Sequence, residues 1–132
     1  MAWVGAVLEV ETDRGVLHPE VLAARSGLLA HLVTAQNPAA LSQSEERNAQ
    51  ADAELSAALI EAGLSAFRAR GKDAASSWSE EGFCILGLSR DQAIELGRRF
   101  GQLAIYESSA TSTLIIVCSD GREISVGGQL GA

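Results

Sequence analysis

The chain has 132 residues, 47% of them hydrophobic and 20% charged, which suits one buried core and leaves no comfortable room for a second domain. Its net charge of -7 argues against a duplex nucleic-acid binder, which needs a basic face for the phosphates. No apolar run approaches the ~20 residues of a membrane-spanning helix, and Met1-Ala2-Trp3-Val4 lacks the basic start of a secretory leader. The expectation is a cytoplasmic protein with no membrane partner, a single compact domain over residues 1–132 with its core at about 31–126 and a frayed tail at 127–132.

In chain order, Ala6 to Thr12 alternates Val7, Glu9 and Glu11 against Leu8, Val10 and Thr12, the period of a half-buried strand. Asp13-Arg14-Gly15 supplies a turn, and Pro19 to Ala30 accommodates a short helix. His31 to Gln36 reads as a buried strand. Pro38 ends it, because proline cannot donate to a sheet ladder. The strand end delivers Thr34, Gln36 and Asn37 to a rim, a place where folds mixing helices and strands collect ligands.

Ser42-x-x-Glu45 predicts a capping box opening a helix. Ala51, Leu55, Ala58, Leu59 and Ala62 share one face of it, and Gly63 stops it. One heptad before Leu55 on that face lies Asn48, near the rim of Asn37. Leu64 to Arg70 predicts a strand, Gly71 to Ser77 a loop, and Trp78 to Leu88 the next strand. Glu81, Phe83 and Ile85 point one way from that strand, and Glu80, Gly82, Cys84 and Leu86 the other. Ser89-x-x-Gln92 is a second capping box, with Ala93, Leu96, Gly97 and Phe100 as inner stripe and Gly101 as the stop. Leu103–Glu107 and Thr113–Cys118 are further strands, and Asp120-Gly121 turns the latter onto Glu123–Val126.

The middle order is strand, helix, strand, strand, helix, strand. That is the split β-α-β, ferredoxin-like order, so the expected fold is α+β: a mainly antiparallel sheet, two main helices on one face, and extra terminal strands. Cys84 and Cys118 sit in apolar runs and read as buried free thiols; a disulfide requires their strands to be neighbours.

Thr34-Ala35-x-Asn37-Pro38, Asn48 in the helix that follows, Trp78-x-Glu80-Glu81, and Arg99-Phe100-Gly101-Gln102 together resemble the uncharacterised bacterial and phage family called domain of unknown function 3293. The resemblance covers Leu32 to Tyr106. Family members usually carry a tryptophan at the position of Gln36 and a serine at that of Gly82. The resemblance implies no activity; it implies that Asn37, Asn48, Trp78, Glu80, Glu81 and Gln102 belong to one constellation.

The side chains named here have alternative uses. The amides of Asn37, Asn48 and Gln102 suit recognition of a nucleobase edge, a ribose or an amino-acid-like ligand, or they hold a loop under the proline. Glu80 and Glu81 diverge on their strand and form no close dyad; an inward one beside Trp78 suits acid–base work, or an ion pair with Arg68, Arg70 or Arg99. Trp78 stacks on a ring or closes the core. Arg68, Arg70 and Lys72 share a face that holds a phosphate or simply faces water. His18 and His31 are isolated, so no metal site and no cofactor is expected. The leading functional expectation is a small polar-ligand binding domain for a nucleotide-like or phosphorylated metabolite. Its contacts are Thr34, Gln36, Asn37, Asn48, Arg68, Arg70, Trp78, Glu80, Glu81 and Gln102. The alternatives are a protein-interaction or inhibitor module, with exposed sheet edges suited to a homodimer or higher homo-oligomer, and a metal-independent hydrolase using Glu80 or Glu81.

Overall fold

The computed structural model describes residues 5–38, 41–73 and 77–126; the expected tail at 127–132 lies outside them. The described elements run β1 (Ala6–Thr12), β2 (Gly15–Leu17), α1 (Pro19–Ser26), β3 (Ala30–Thr34), α2 (Glu45–Glu61), β4 (Ser65–Asp73), β5 (Ser79–Leu86), α3 (Arg90–Arg99), β6 (Ala104–Ser108), β7 (Thr113–Val117) and β8 (Glu123–Ser125). The strands form one eight-stranded sheet in the order β2-β1-β4-β5-β3-β6-β7-β8. Every neighbouring pair is antiparallel. The fold is α+β.

Both faces of this sheet are apolar. Val33, Phe83, Ile85, Ile105 and Ile116 pack with Leu55 and Leu59 of α2 and Ala93 and Ile94 of α3. Their strand neighbours Leu32, Cys84, Tyr106 and Ile115 join a second cluster with Leu8 and Val10 of β1 and Leu22 and Ala23 of α1. A pleated strand sends successive side chains to opposite faces, so each central strand feeds both clusters. Each fully buried aliphatic side chain contributes roughly 1.5–3 kcal/mol. The core thus reaches upstream of residue 31, to Ala6.

Cys84 belongs to one cluster and Cys118 to the other, and β5 is separated from β7 by β3 and β6. Both cysteines are free and buried.

Some element bounds differ from the sequence expectation for local reasons. The second helix is capped by Ser44, whose side chain accepts from the Arg47 amide, and not by Ser42. Gln43 is already bound to Asn37 and Asn48, which holds the chain out of helical conformation up to that point. β4 continues through Gly71, Lys72 and Asp73, because β1 pairs with all three and β5 with Gly71 and Lys72. The Ser89–Gln92 capping box is present as expected. The stretch after Asp13-Arg14-Gly15 adds the short strand β2.

Candidate functional site

β3 leaves the sheet after Thr34, which is its last paired residue, opposite Gly82. A Cβ on Gly82 would lie 2.3 Å from the Val33 carbonyl oxygen, so a side chain here requires the β3 backbone to move away. Beyond that point side chains replace the ladder. Thr34 Oγ1 donates to the Glu81 carbonyl at 2.7 Å and accepts from the Gln36 amide at 3.0 Å. The Glu81 amide donates to Gln36 Oε1 at 3.0 Å.

Asn37 follows with φ of 47°, a left-handed conformation that asparagine tolerates better than most residues with a side chain. Its backbone amide donates to Asn48 Oδ1 at 2.9 Å, and Asn48 Nδ2 donates back to Asn37 Oδ1 at 3.1 Å. The first turns of α2 are thereby clasped to the loop. Gln43 completes the clasp: its amide donates to Asn37 Oδ1 and its Nε2 to Asn48 Oδ1. The remaining arm, Asn37 Nδ2, donates to the Glu80 carboxylate at 3.1 Å.

The end of α3 locks the other side. Gln102, 4% exposed, donates from Nε2 to the Gln36 carbonyl at 3.0 Å. Gly101 has φ of 72°, and a Cβ there would lie 2.8 Å from Pro38 Cβ. Pro38 therefore seats against a position that rejects a side chain on two counts.

A family model matches residues 33–105, more than half of the chain. The chain belongs to the DUF3293 family, proteins of unknown function. No curated protein and no solved structure matches it. In this DUF3293 chain the matched segment opens within β3 and closes within β6, and the loop just described lies inside it. Four stretches of sequence meet at that loop: the Thr34–Pro38 stretch, Gln43 with Asn48, Glu80 with Glu81, and Gly101 with Gln102. The amides face one another, the loop backbone and Glu80.

Beneath the loop lies a cavity with about 20 Å³ of room, enough for one water-sized group. Leu32, Thr34, Gly71, Trp78, Glu80, Ala104 and Tyr106 line it. Glu80 is 6% exposed. Its neighbour Glu81 belongs to the opposite face, with Phe83. Tyr106 is a lining residue that the sequence reading missed; its alternation with Ile105 in β6 was the available signal.

Arg68 and Arg70 stand apart from this cavity, on the same side of the pleat as Glu81. Arg68 makes two bonds to Asp52 of α2, at 2.8 and 2.9 Å, and lies over the Phe83 ring with 4.3 Å to the centroid. The bonds to Asp52 raise its pKa. Arg70 binds Glu9 and Glu11 of β1 and approaches Glu81 at 3.6 Å. Lys72 binds Glu9 at 2.9 Å and, with Arg70, holds its carboxyl below the usual range against the effect of burial.

A second polar cluster, also missed, lies toward the other end of β3. His31 is fully buried, and its Nε2 lies 2.8 Å from Glu107 Oε2. Arg90, at the start of α3, grips Glu107 through Nε at 3.1 Å and Nη2 at 2.7 Å, and reaches Glu123 of β8 with its third nitrogen. Burial favours a neutral Glu107, but the Arg90 and His31 bonds outweigh it and lower the pKa. An ionised carboxylate only accepts, so Nε2 carries the histidine proton. No described residue partners the buried Nδ1. Burial lowers the His31 pKa despite the Glu107 bond. Among the described residues no group of His, Cys, Asp and Glu could hold a metal ion. No described helix is long and apolar enough to cross a membrane.

Proposed function

We propose that this chain is a small polar-ligand binding domain, with the ligand entering the cavity under the Asn37 loop. Glu80, Thr34 and Trp78 contact the ligand, with Tyr106 as a further wall. Asn37, Asn48, Gln43 and Gln102 position the loop. One observation carries the reading: a carboxylate 6% exposed is turned into a cavity walled by two aromatic residues. Burying a carboxylate is costly, and a cavity is empty of packing contacts. The Asn37 side chain holds that carboxylate in place from the loop. The loop network supports the reading further, because a binding group must be held in place by its surroundings.

The cavity takes a head group and not a whole metabolite. Pockets that enclose drug-sized molecules measure roughly 300–1,000 Å³. The remainder of the ligand would lie at the rim beside Gln36 and Trp78.

The scaffold of this site is, in our reading, a ferredoxin-like split β-α-β core. The inner order β4-β5-β3-β6 supports it, as does the shared cluster of α2 and α3 residues against alternate residues of those strands. A reducing, cytoplasmic setting is supported by the two free thiols, with burial pushing Cys84 up to about 12.

Trp78 offers the direct test. The chain has two tryptophans, so Trp3→Phe leaves Trp78 as the sole emitter. Fractions of a metabolite extract should change its fluorescence saturably, and the change should vanish in Trp3→Phe/Glu80→Gln. Fractions that change both proteins equally would remove the reading.

A further inference from the structure

Side chains of α2 and α3 share the core cluster around Val33 and Ile85. Between the two helices runs an open groove. One half of it has about 350 Å³ of room and is walled by Ala57 and Ala58 of α2 and by Phe100. The other half has about 200 Å³ and is walled by Leu64, Leu88 and Leu96. Arg99 lines both, so the two halves adjoin at that side chain. Leu64, Leu96 and Phe100 press against the core cluster and stay half-buried, which leaves an apolar floor in contact with water.

The rim of the groove is acidic. Glu54 and Glu61 stand on the α2 side and Glu95 on the α3 side, all three exposed. Among the described residues none of the three is held in an ion pair, whereas Asp52, also on α2, is held by Arg68. Arg99 supplies the positive charge of the lining, and its guanidinium lies 5.5 Å from the centroid of the Phe100 ring.

We propose that this groove docks an amphipathic helix of a partner protein, with basic residues flanking its apolar face. The inference concerns a surface apart from the Glu80 cavity and does not rest on the binding reading above. An exposed apolar floor with a polar rim is the pattern of an interaction surface. Three carboxylates against one guanidinium favour lysines and arginines on the visitor, and the net charge of -7 steers a basic segment toward the chain. The same charge repels nucleic acid, an anionic membrane and a second copy of this chain. The groove walls also decide the form of the visitor. The backbone of a helix interior is hydrogen-bonded within itself, so an extended strand finds no edge to pair with here. A helix needs no such partner and contributes side chains alone. The small side chains of Ala57 and Ala58 let its axis approach to the usual helix–helix distance, about 8–10 Å.

The test is fluorescence anisotropy with a fluorescein-labelled helix of leucine on one face and lysine on the other, about 14 residues or ~21 Å long, titrated with the full chain. The peptide should bind saturably, and a scrambled peptide of the same composition, which has no apolar face, should bind at least about tenfold more weakly. Glu54→Gln/Glu61→Gln/Glu95→Gln should weaken the peptide roughly tenfold, the combined effect of several exposed ion pairs. Asp13→Asn/Glu46→Gln/Asp91→Asn, which removes as much charge from outside the groove, should change it less than about twofold. Ala57→Arg, at an exposed position, should abolish binding while thermal unfolding stays cooperative. Should that variant not fold, amide shifts of the wild-type chain decide: the peptide should move Ala57, Ala58, Leu96 and Phe100 and leave β1 and β2 fixed. Equal weakening by the two triple variants, or equal binding of the scrambled peptide, reduces the effect to general charge attraction and overturns the proposal. Absence of saturable binding overturns it as well. A chain that is dimeric without peptide and monomeric as Ala57→Arg gives the groove to a second copy and overturns the partner helix.

Discussion

Asn37 Nδ2 donates to the Glu80 carboxylate at 3.1 Å, across 43 residues of sequence. The bond ties a left-handed loop residue to the inward face of β5, and every other polar arm of the Asn37 side chain points back into the loop or α2. Orientation of Glu80 and shape of the loop are therefore one property.

Asn37→Ala is expected to cost about 2–4 kcal/mol of stability. It removes a bond to a charged group, worth about 1.5–3 kcal/mol, and places an alanine where the left-handed region disfavours it by roughly 1 kcal/mol. Asn37→Gly loses the same bonds but regains the backbone freedom, so it should recover roughly 1 kcal/mol of that loss. Urea unfolding of the two variants reads the difference. Equal midpoints would show that the φ of 47° is not held in solution.

Gly101 and Gly63 form a controlled pair. Both have positive φ, 72° and 69°, but a Cβ on Gly101 strikes Pro38 whereas one on Gly63 meets nothing within 4 Å. Gly63→Ala should cost about 1 kcal/mol, and Gly101→Ala about 2–4 kcal/mol with the added crowding. Gly101→Ala should also shift the Trp78 emission, because Pro38 and the loop over the cavity must move. Gly63→Ala should leave it unchanged.

The His31 cluster predicts acid sensitivity, and its sign follows from the direction of the shift. Burial depresses the folded pKa of His31 below its ordinary value of 6.5. Between that depressed value and 6.5 the unfolded chain takes up a proton that the folded chain refuses, so stability falls as pH drops through this window. Glu107, held low by Arg90 and His31, adds a further loss below 4.5 as it becomes protonated. The groups facing the histidine are Glu107 of β6 and Arg90 of α3, and Arg90 in turn holds Glu123 of β8. Urea midpoints should therefore decline from pH 7 to pH 5, and His31→Gln should flatten that first decline. An unchanged slope in the variant would place the sensitivity elsewhere.

Cys84 and Cys118 should resist thiol reagents in the native chain and react at once in denaturant. Both are buried and both thiol pKa values are raised by burial. Fast labelling of either one without denaturant would show local opening of the cluster that holds it.

Much of this architecture is written locally. The alternation around Phe83 and Cys84, the Ser89–Gln92 box and the Asp120-Gly121 turn are nearest-neighbour signals, and each produces its element. Thr34, Gln36, Asn37, Asn48 and Gln102, singled out from short local motifs, meet in one hydrogen-bond network. Other features were out of reach because they join distant segments. The bond from His31 to Glu107 spans 76 residues, and no pattern in either strand announces it. Arg68 and Arg70 show the reverse error. Their alternation was read correctly, but their partners on α2 and β1 depend on the sheet order, which the sequence did not reveal. Gln43 went unnoticed for want of any periodicity, although it lies between the two asparagines that it bridges. Ser42 and Glu45 have the spacing of a capping box, but the bonds of Gln43 to Asn37 and Asn48 hold the loop so that α2 starts after Ser44.

The central claim is that the Glu80 cavity is a ligand site and not a packing defect. The most direct measurement is native mass spectrometry of the freshly purified chain beside Glu80→Gln, with small molecules released by denaturation and identified. The account predicts a stoichiometric small-molecule adduct on the wild-type chain that is missing from the folded variant. An adduct retained in full by Glu80→Gln, or a wild-type chain that stays bare even after incubation with metabolite extract, would contradict it.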